Sequence, residues 1–142
     1  MDDFYRILGT SVSEEETSLP WPFIKKRSFT VELNPSHRLY NGHFQGNPIV
    51  PGVCQVQIIK ELVSLILQQR IVISKSDNIK FLSVIIPSQT TVLEVVIEIR
   101  ETEPFYWKVS AVISREQQEF IKFNGVFQKT ETMDCIQENE SL

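Results

Sequence analysis

The chain has 142 residues, 42% of them hydrophobic and 23% charged, with a formal net charge of −4. That length suffices for one domain with a real core and is too short for two. The acidic balance argues against nonspecific nucleic-acid binding, which needs a basic surface, although Lys25-Lys26-Arg27 forms a local basic cluster.

The opening Met1-Asp2-Asp3-Phe4 lacks the charged and apolar regions of a signal peptide. The longest apolar run, Leu62 to Leu67, is interrupted by Ser64 and falls far short of a membrane span. A cytoplasmic location with no membrane partner is therefore expected. Cys54 and Cys135 make no disulfide framework, and Cys54 reads as a small core residue. His37 and His43 alone do not supply a metal site, so no metal is expected.

In chain order, Asp3 to Leu8 fits a short helix or a strand, and Ser11 to Pro22, with Glu14-Glu15-Glu16 and two prolines, reads as a loop; residues 1–27 are the least defined part of a single domain over 1–142. Phe29, Val31 and Leu33 alternate with Thr30 and Glu32, which is a strand signal, and Asn34-Pro35-Ser36 ends that strand. His37 follows in a loop and reads as solvated. Tyr40 to Pro51 is irregular. Within it Gly42-His43-Phe44-Gln45-Gly46-Asn47-Pro48-Ile49-Val50-Pro51-Gly52 sets a histidine in a loop pinned by three glycines and two prolines. The loop feeds the start of a helix, and an imidazole held beside free helical N–H groups suits acid–base chemistry on a carbonyl compound.

The helix is expected from about Gly52 to Arg70. Its apolar positions, from Val53 to Leu67, cover more than half the circumference and predict deep burial. Gln57, Glu61, Ser64 and Gln68 form a narrow polar stripe, whereas Gln55 falls on the apolar arc with Ile58, Leu62 and Ile66. A buried amide there needs a partner, either loop backbone or a group in a substrate channel. Glu61 reads as a surface carboxylate within reach of Lys60 or Lys80.

Beyond the helix the pattern predicts a β-meander with strands at Ile79–Ile86 and Thr90–Arg100, a third sharing Phe105, Trp107, Val109, Ala111 and Ile113 on one face, and a fourth with Ile121, Phe123 and Phe127. Glu101–Pro104 and Arg115–Glu119 are the expected hairpin connections. Residues 130–142 read as a polar, acidic, disordered tail. One covered sheet face and one long apolar helix predict an α+β antiparallel sheet wrapped around a single helix. Open sheet edges then favour pairing across a two-fold axis, so a homodimer or a larger dimer-based oligomer is expected.

The loop and helix start resemble those of the hot-dog 3-hydroxyacyl-acyl-carrier-protein dehydratases over twelve positions, Gly42 to Val53, and Lys80 to Pro87 resembles the strand after the helix in that family. Two departures stand out: Ser88-Gln89 replaces the usual Gly-Asp, and Gln57 occupies the position of the family's acidic residue, fourteen residues after the histidine. The resemblance implies a dehydratase without cofactor. His43 would be the catalytic base and proton shuttle, and the Gly52 N–H would polarise the thioester carbonyl. Gln57 would hold the leaving hydroxyl or a water, because an amide cannot release a proton. Phe44, Gly46, Pro51, Val53, Gln55 and Glu61 are the residues expected around the substrate, and Phe44 also packs the loop. Acyl carrier protein is the expected partner, docking on basic residues among Lys25, Lys26, Arg27 and Arg70. The alternatives are a Glu61 that substitutes for the missing acid through a water, a hot-dog thioesterase working through Glu61, and a non-catalytic acyl-thioester-binding subunit.

Overall fold

A computed structural model describes residues 3–12, 24–40 and 48–130. The elements in order are β1 (Tyr5–Val12), β2 (Ile24–Leu33), a 3-10 helix (Arg38–Tyr40), α1 (Gly52–Leu67), β3 (Ile71–Phe81), β4 (Val92–Glu103), β5 (Tyr106–Arg115) and β6 (Gln118–Lys129). All six strands form one sheet in the order β1-β2-β4-β5-β6-β3, each neighbouring pair antiparallel.

The alternation in the sequence sets the sheet's two faces. Leu93, Val95, Ile97 and Ile99 of β4 are fully buried, while Glu98 and Arg100 point to solvent. Trp107, Val109, Ala111 and Ile113 of β5 and Ile121, Phe123 and Phe127 of β6 continue the buried face. Against it lie Ile58, Ile59, Leu62 and Val63 of α1, with no exposed surface. Full burial of such side chains contributes roughly 1.5–3 kcal/mol each, so the helix is held by its apolar arc. It stops at Leu67 because Gln68 turns left-handed (φ 53°), with its N–H on the Ser64 carbonyl and the Ser64 hydroxyl donating to Gln69 O. The helix thus ends short of Arg70.

Several sequence expectations are corrected. The N-terminal segment is strand β1, which extends to Val12 and so takes in Ser11; the remainder of the expected loop, 13–22, lies outside the described residues. The expected strand at Ile79–Ile86 is instead β3 over Ile71–Phe81, and residues 82–86 leave the sheet. Its alternation is hidden because β3 is an edge strand with two register shifts against β6 and an exposed polar run from Ser74 to Asn78. The meander holds for β4-β5-β6 alone: β3 pairs with β6, and β2 takes the place beside β4. Phe105 does not share the buried face of β5. It sits in the β4–β5 turn at φ 67°, half exposed, with its ring edge-on to Trp107 and under the Lys129 ammonium. His37 is more than a solvated residue: its Nδ1 accepts the Leu39 N–H at 3.0 Å and its ring meets Phe4 edge-on. Thr130 donates its N–H to Arg70 O, which ties down the first residue of the expected tail; 131–142, with Cys135, lie outside the described residues.

One glycine of the sheet is there for space. A Cβ at Gly125 would stand 2.8 Å from the Lys75 carbonyl oxygen and 3.0 Å from the Phe123 ring. Backbone cannot give way as a side-chain tip can. Gly125→Ala is expected to destabilise the fold by about 1–3 kcal/mol, read as a lower urea midpoint; an unchanged midpoint would mean that β3 yields freely at Lys75.

Candidate active site

The start of α1 is left uncapped by its own sequence. Pro51 is the N-cap residue and has no side-chain acceptor to offer; its carbonyl accepts the N–H groups of Cys54 (3.0 Å) and Gln55 (3.2 Å). The amides of Gly52 and Val53 have no hydrogen-bond partner among the described residues. Free N–H groups at the positive end of a helix are suited to a carbonyl oxygen that gains negative charge. Gly52 also gives room to a neighbour: a Cβ there would come within 2.8 Å of the Phe81 ring. Phe81, at the end of β3 and 56% exposed, therefore lies against the helix start. No local pattern marks Phe81 for the site, because its contact with Gly52 is set by where β3 ends.

His43, Phe44 and Gly46 lie outside the described residues. The chain on either side of them is anchored. Tyr40 is buried at the end of the 3-10 helix, and Val50 is buried with its N–H on Ile85 O. Pro51 is half-buried and leads directly into the helix.

Val53, Gln57, Glu61, Leu65 and Gln68 form the exposed stripe of α1, so the two apolar residues Val53 (76% exposed) and Leu65 (56%) join the expected polar line. The Gln57 amide Nε2 donates to Glu61 Oε2 at 2.9 Å. The Tyr5 hydroxyl donates to Glu61 Oε1 at 2.5 Å. Glu61 is thus partnered by an amide and a phenol, in place of the lysine expected from sequence. Tyr5, on β1, was not foreseen: 56 residues separate it from Glu61, and no local pattern reports so distant a contact. Burial, and then the bond to Glu61, raise the Tyr5 pKa far above the ordinary phenol value, so Tyr5 stays a donor.

Gln55 lies on the buried arc, 3% exposed. Its Nε2 donates to Val50 O at 3.4 Å, and its Oε1 is buried without a hydrogen-bond partner among the described residues, as is the Tyr40 hydroxyl. Burial, and then the nearby Cys54, push the Tyr40 pKa up to about 12, and burial also raises the Cys54 thiol. Both unpartnered atoms belong to residues bordering the stretch from the histidine loop to the helix start. A buried polar atom without a partner costs about 1–3 kcal/mol. Gln55→Met keeps the volume, gives up one long hydrogen bond and removes the unsatisfied oxygen. Its unfolding free energy is expected to change by no more than about 1 kcal/mol, measured in urea. A loss well beyond that would make Gln55 a structural residue.

The basic residues fall elsewhere. Lys25 and Arg27 line a groove with Ile7, Phe29, Leu65 and Leu67 beside the C-terminal end of α1. The axial rise of this 16-residue helix separates that end from Gly52 by roughly 20 Å. Among the described residues no group of three or more His, Cys, Asp and Glu is placed to hold a metal ion, and no helix is long and apolar enough to cross a membrane.

The family model "ApeI-like: ApeI dehydratase" matches residues 24–128. The chain belongs to this family. The match takes in the histidine loop, α1 and strands β2 to β6, and leaves the whole of β1, Tyr5 included, outside. The comparison with curated proteins found no match. Solved structures share the fold at low identity. An uncharacterized protein from Erwinia carotovora subsp. atroseptica superposes with a TM-score of 0.63 at 22% identity, covering 91% of this chain and 98% of that one. The dehydratase heterocomplex ApeI:P from Xenorhabdus doucetiae gives 0.58 at 13%, covering 87% and 97%. The protein yhdA from Lactococcus lactis, provisionally described as a thioesterase, gives 0.59 at 12%, covering 87% and 91%. The six-stranded antiparallel sheet around one helix is the hot-dog fold, as the sequence predicts.

Proposed function

We propose that this ApeI-like protein dehydrates a 3-hydroxyacyl thioester carried on acyl carrier protein, giving the trans-2-enoyl thioester and water. The observation that carries the reading is the uncapped helix start at Gly52 and Val53, directly after the His43 loop, within the span matched by a dehydratase family. In this reading the Gly52 N–H donates a hydrogen bond to the thioester oxygen and stabilises the enolate charge that forms there. His43 takes the C2 proton and returns it to the C3 hydroxyl, whose C–O bond breaks as the C2–C3 double bond forms. One proton and one hydroxide leave as water, and no redox partner is required. Gln57 accepts a hydrogen bond from that hydroxyl. Both oxygens of Glu61 already accept bonds, from Tyr5 and Gln57, which favours His43 over Glu61 as the proton donor.

The exposed edge of β3 carries Phe81, and Leu82 and Val84 follow it on the surface. We read this edge as the contact with a second copy of the chain; the alternative is a second hot-dog chain, by analogy with the ApeI:P heterocomplex. Carrier docking would use the basic residues Lys25, Lys26, Arg27 and Arg70, on grounds of charge.

The test is incubation of the purified protein with 3-hydroxyacyl-carrier proteins of several chain lengths, read by mass spectrometry. A product lighter by one water supports the reading. Release of the free acid would establish a thioesterase instead, and no change with any substrate would leave an acyl-binding subunit.

A further inference from the structure

We propose that Tyr5 and Glu61 are positioning residues that hold the Gln57 amide so that its carbonyl oxygen faces the substrate's 3-hydroxyl group. The inference rests on the dehydratase reading and goes on to say how a glutamine serves where the family's acid would stand.

The geometry is a chain of two hydrogen bonds. The Tyr5 hydroxyl donates to Glu61 Oε1 at 2.5 Å, and Gln57 Nε2 donates to Glu61 Oε2 at 2.9 Å. Glu61 is thus an acceptor on both of its oxygens. A terminal amide carries its donor nitrogen and its acceptor oxygen on the same carbon, in one plane. With the nitrogen bonded to Glu61, one turn further along α1, the oxygen remains as the acceptor, and we take it to face the start of the helix. There the free Gly52 and Val53 amides offer the place for the thioester oxygen.

Without Glu61 a glutamine on an exposed helix face would rotate freely and present either end. A donor N–H and an acceptor C=O recognise a substrate hydroxyl differently, so fixing the amide selects one. Tyr5 in turn fixes the carboxylate, which would otherwise sample several rotamers in water. The strand that supplies Tyr5 pairs with β2 from Tyr5↔Leu33 to Val12↔Arg27, and so belongs to the sheet, at its β1 edge. Tyr5 itself precedes the residues matched by the family model. The positioning pair is thus assembled from one residue inside the family's span and one outside it.

The test uses two unreactive ligands, a 3-hydroxyacyl pantetheine amide and the same acyl amide without the hydroxyl, with affinities from calorimetry. The full-length chain is expected to prefer the hydroxylated ligand. Tyr5→Phe and Glu61→Gln should each cut that preference roughly 3–10-fold, the worth of one well-placed hydrogen bond, and leave the plain acyl ligand unaffected. Gln57→Ala should abolish the preference, and adding Tyr5→Phe to it should change nothing further, because Tyr5 acts through Gln57. Equal losses for both ligands in Tyr5→Phe, or a full Tyr5→Phe effect persisting in the Gln57→Ala background, would overturn the proposal. So would the absence of any preference in the unmodified chain. A preference present without turnover would overturn the dehydration and leave the positioning pair standing.

Discussion

Replacing His43 with alanine is expected to lower the turnover of a 3-hydroxyacyl thioester by at least about 100-fold, and toward 10⁴-fold if the imidazole serves both proton transfers. The reason is that, among the described residues, neither Gln57 nor Glu61 is suited to take over. Gln57 cannot exchange a proton at neutral pH. The Glu61 carboxylate is engaged by Tyr5 and Gln57 and sits a full turn further along the helix, about 6 Å in axial rise. Initial rates of water loss, followed by mass spectrometry at saturating substrate, give the comparison directly. The loss should fall on kcat, since the helix start proposed to bind the thioester is retained. Gln57→Glu restores the family's acid and should raise the rate, provided that the new carboxylate escapes repulsion from Glu61, which the double variant Gln57→Glu, Glu61→Gln removes. A His43→Ala protein that keeps its rate within tenfold would assign the proton transfers elsewhere.

Phe123→Ala is expected to cost about 3–5 kcal/mol, a large part of the 5–15 kcal/mol typical of a whole domain. The Phe123 side chain is fully buried on β6. Its ring stands 5.7 Å from that of Phe127 at a 68° interplanar angle, and its backbone is in register with Ala111 of β5 and Ile79 of β3. The small neighbours Ala111 and Gly125 are what make room for it, and neither can fill the space that it leaves. The urea midpoint should fall with the slope of the transition unchanged. Phe105→Ala is the contrast. That ring is half exposed in the β4–β5 turn, and its loss gives up an edge contact with Trp107 and a cation–π contact with Lys129, together about 1 kcal/mol. Similar losses for the two phenylalanines would contradict the burial difference between them.

The elements that could be read from the sequence are those with one dry face and one wet face. In β4, Leu93 to Ile99 alternate strictly because the helix covers one side, and a period of two survives as long as that cover does. The helix was legible for the same reason, and Gln55 could be assigned to its buried arc by counting residues around the turn. β3 has no such signature: it lies at the edge, bends at two register shifts, and exposes Ser74 to Asn78 in succession. Its pairing with β6 is a matter of topology, which local pattern does not encode.

The same division holds at the candidate site. The order of glycines, prolines and histidine from Gly42 to Gly52 is a property of the chain itself, because turn residues act through their own backbone angles. The sequence by itself therefore determined the sheet-wrapped helix, the loop that feeds it, and the absence of an acid at Gln57. Tertiary structure alone decided what surrounds that glutamine. Tyr5 reaches Glu61 across 56 residues, Phe81 comes to rest on Gly52, and the Gln55 oxygen is left buried without a partner. The first two join segments whose spacing along the chain carries no information about their distance in space, so only the packing of β1 and β3 against α1 brings them together.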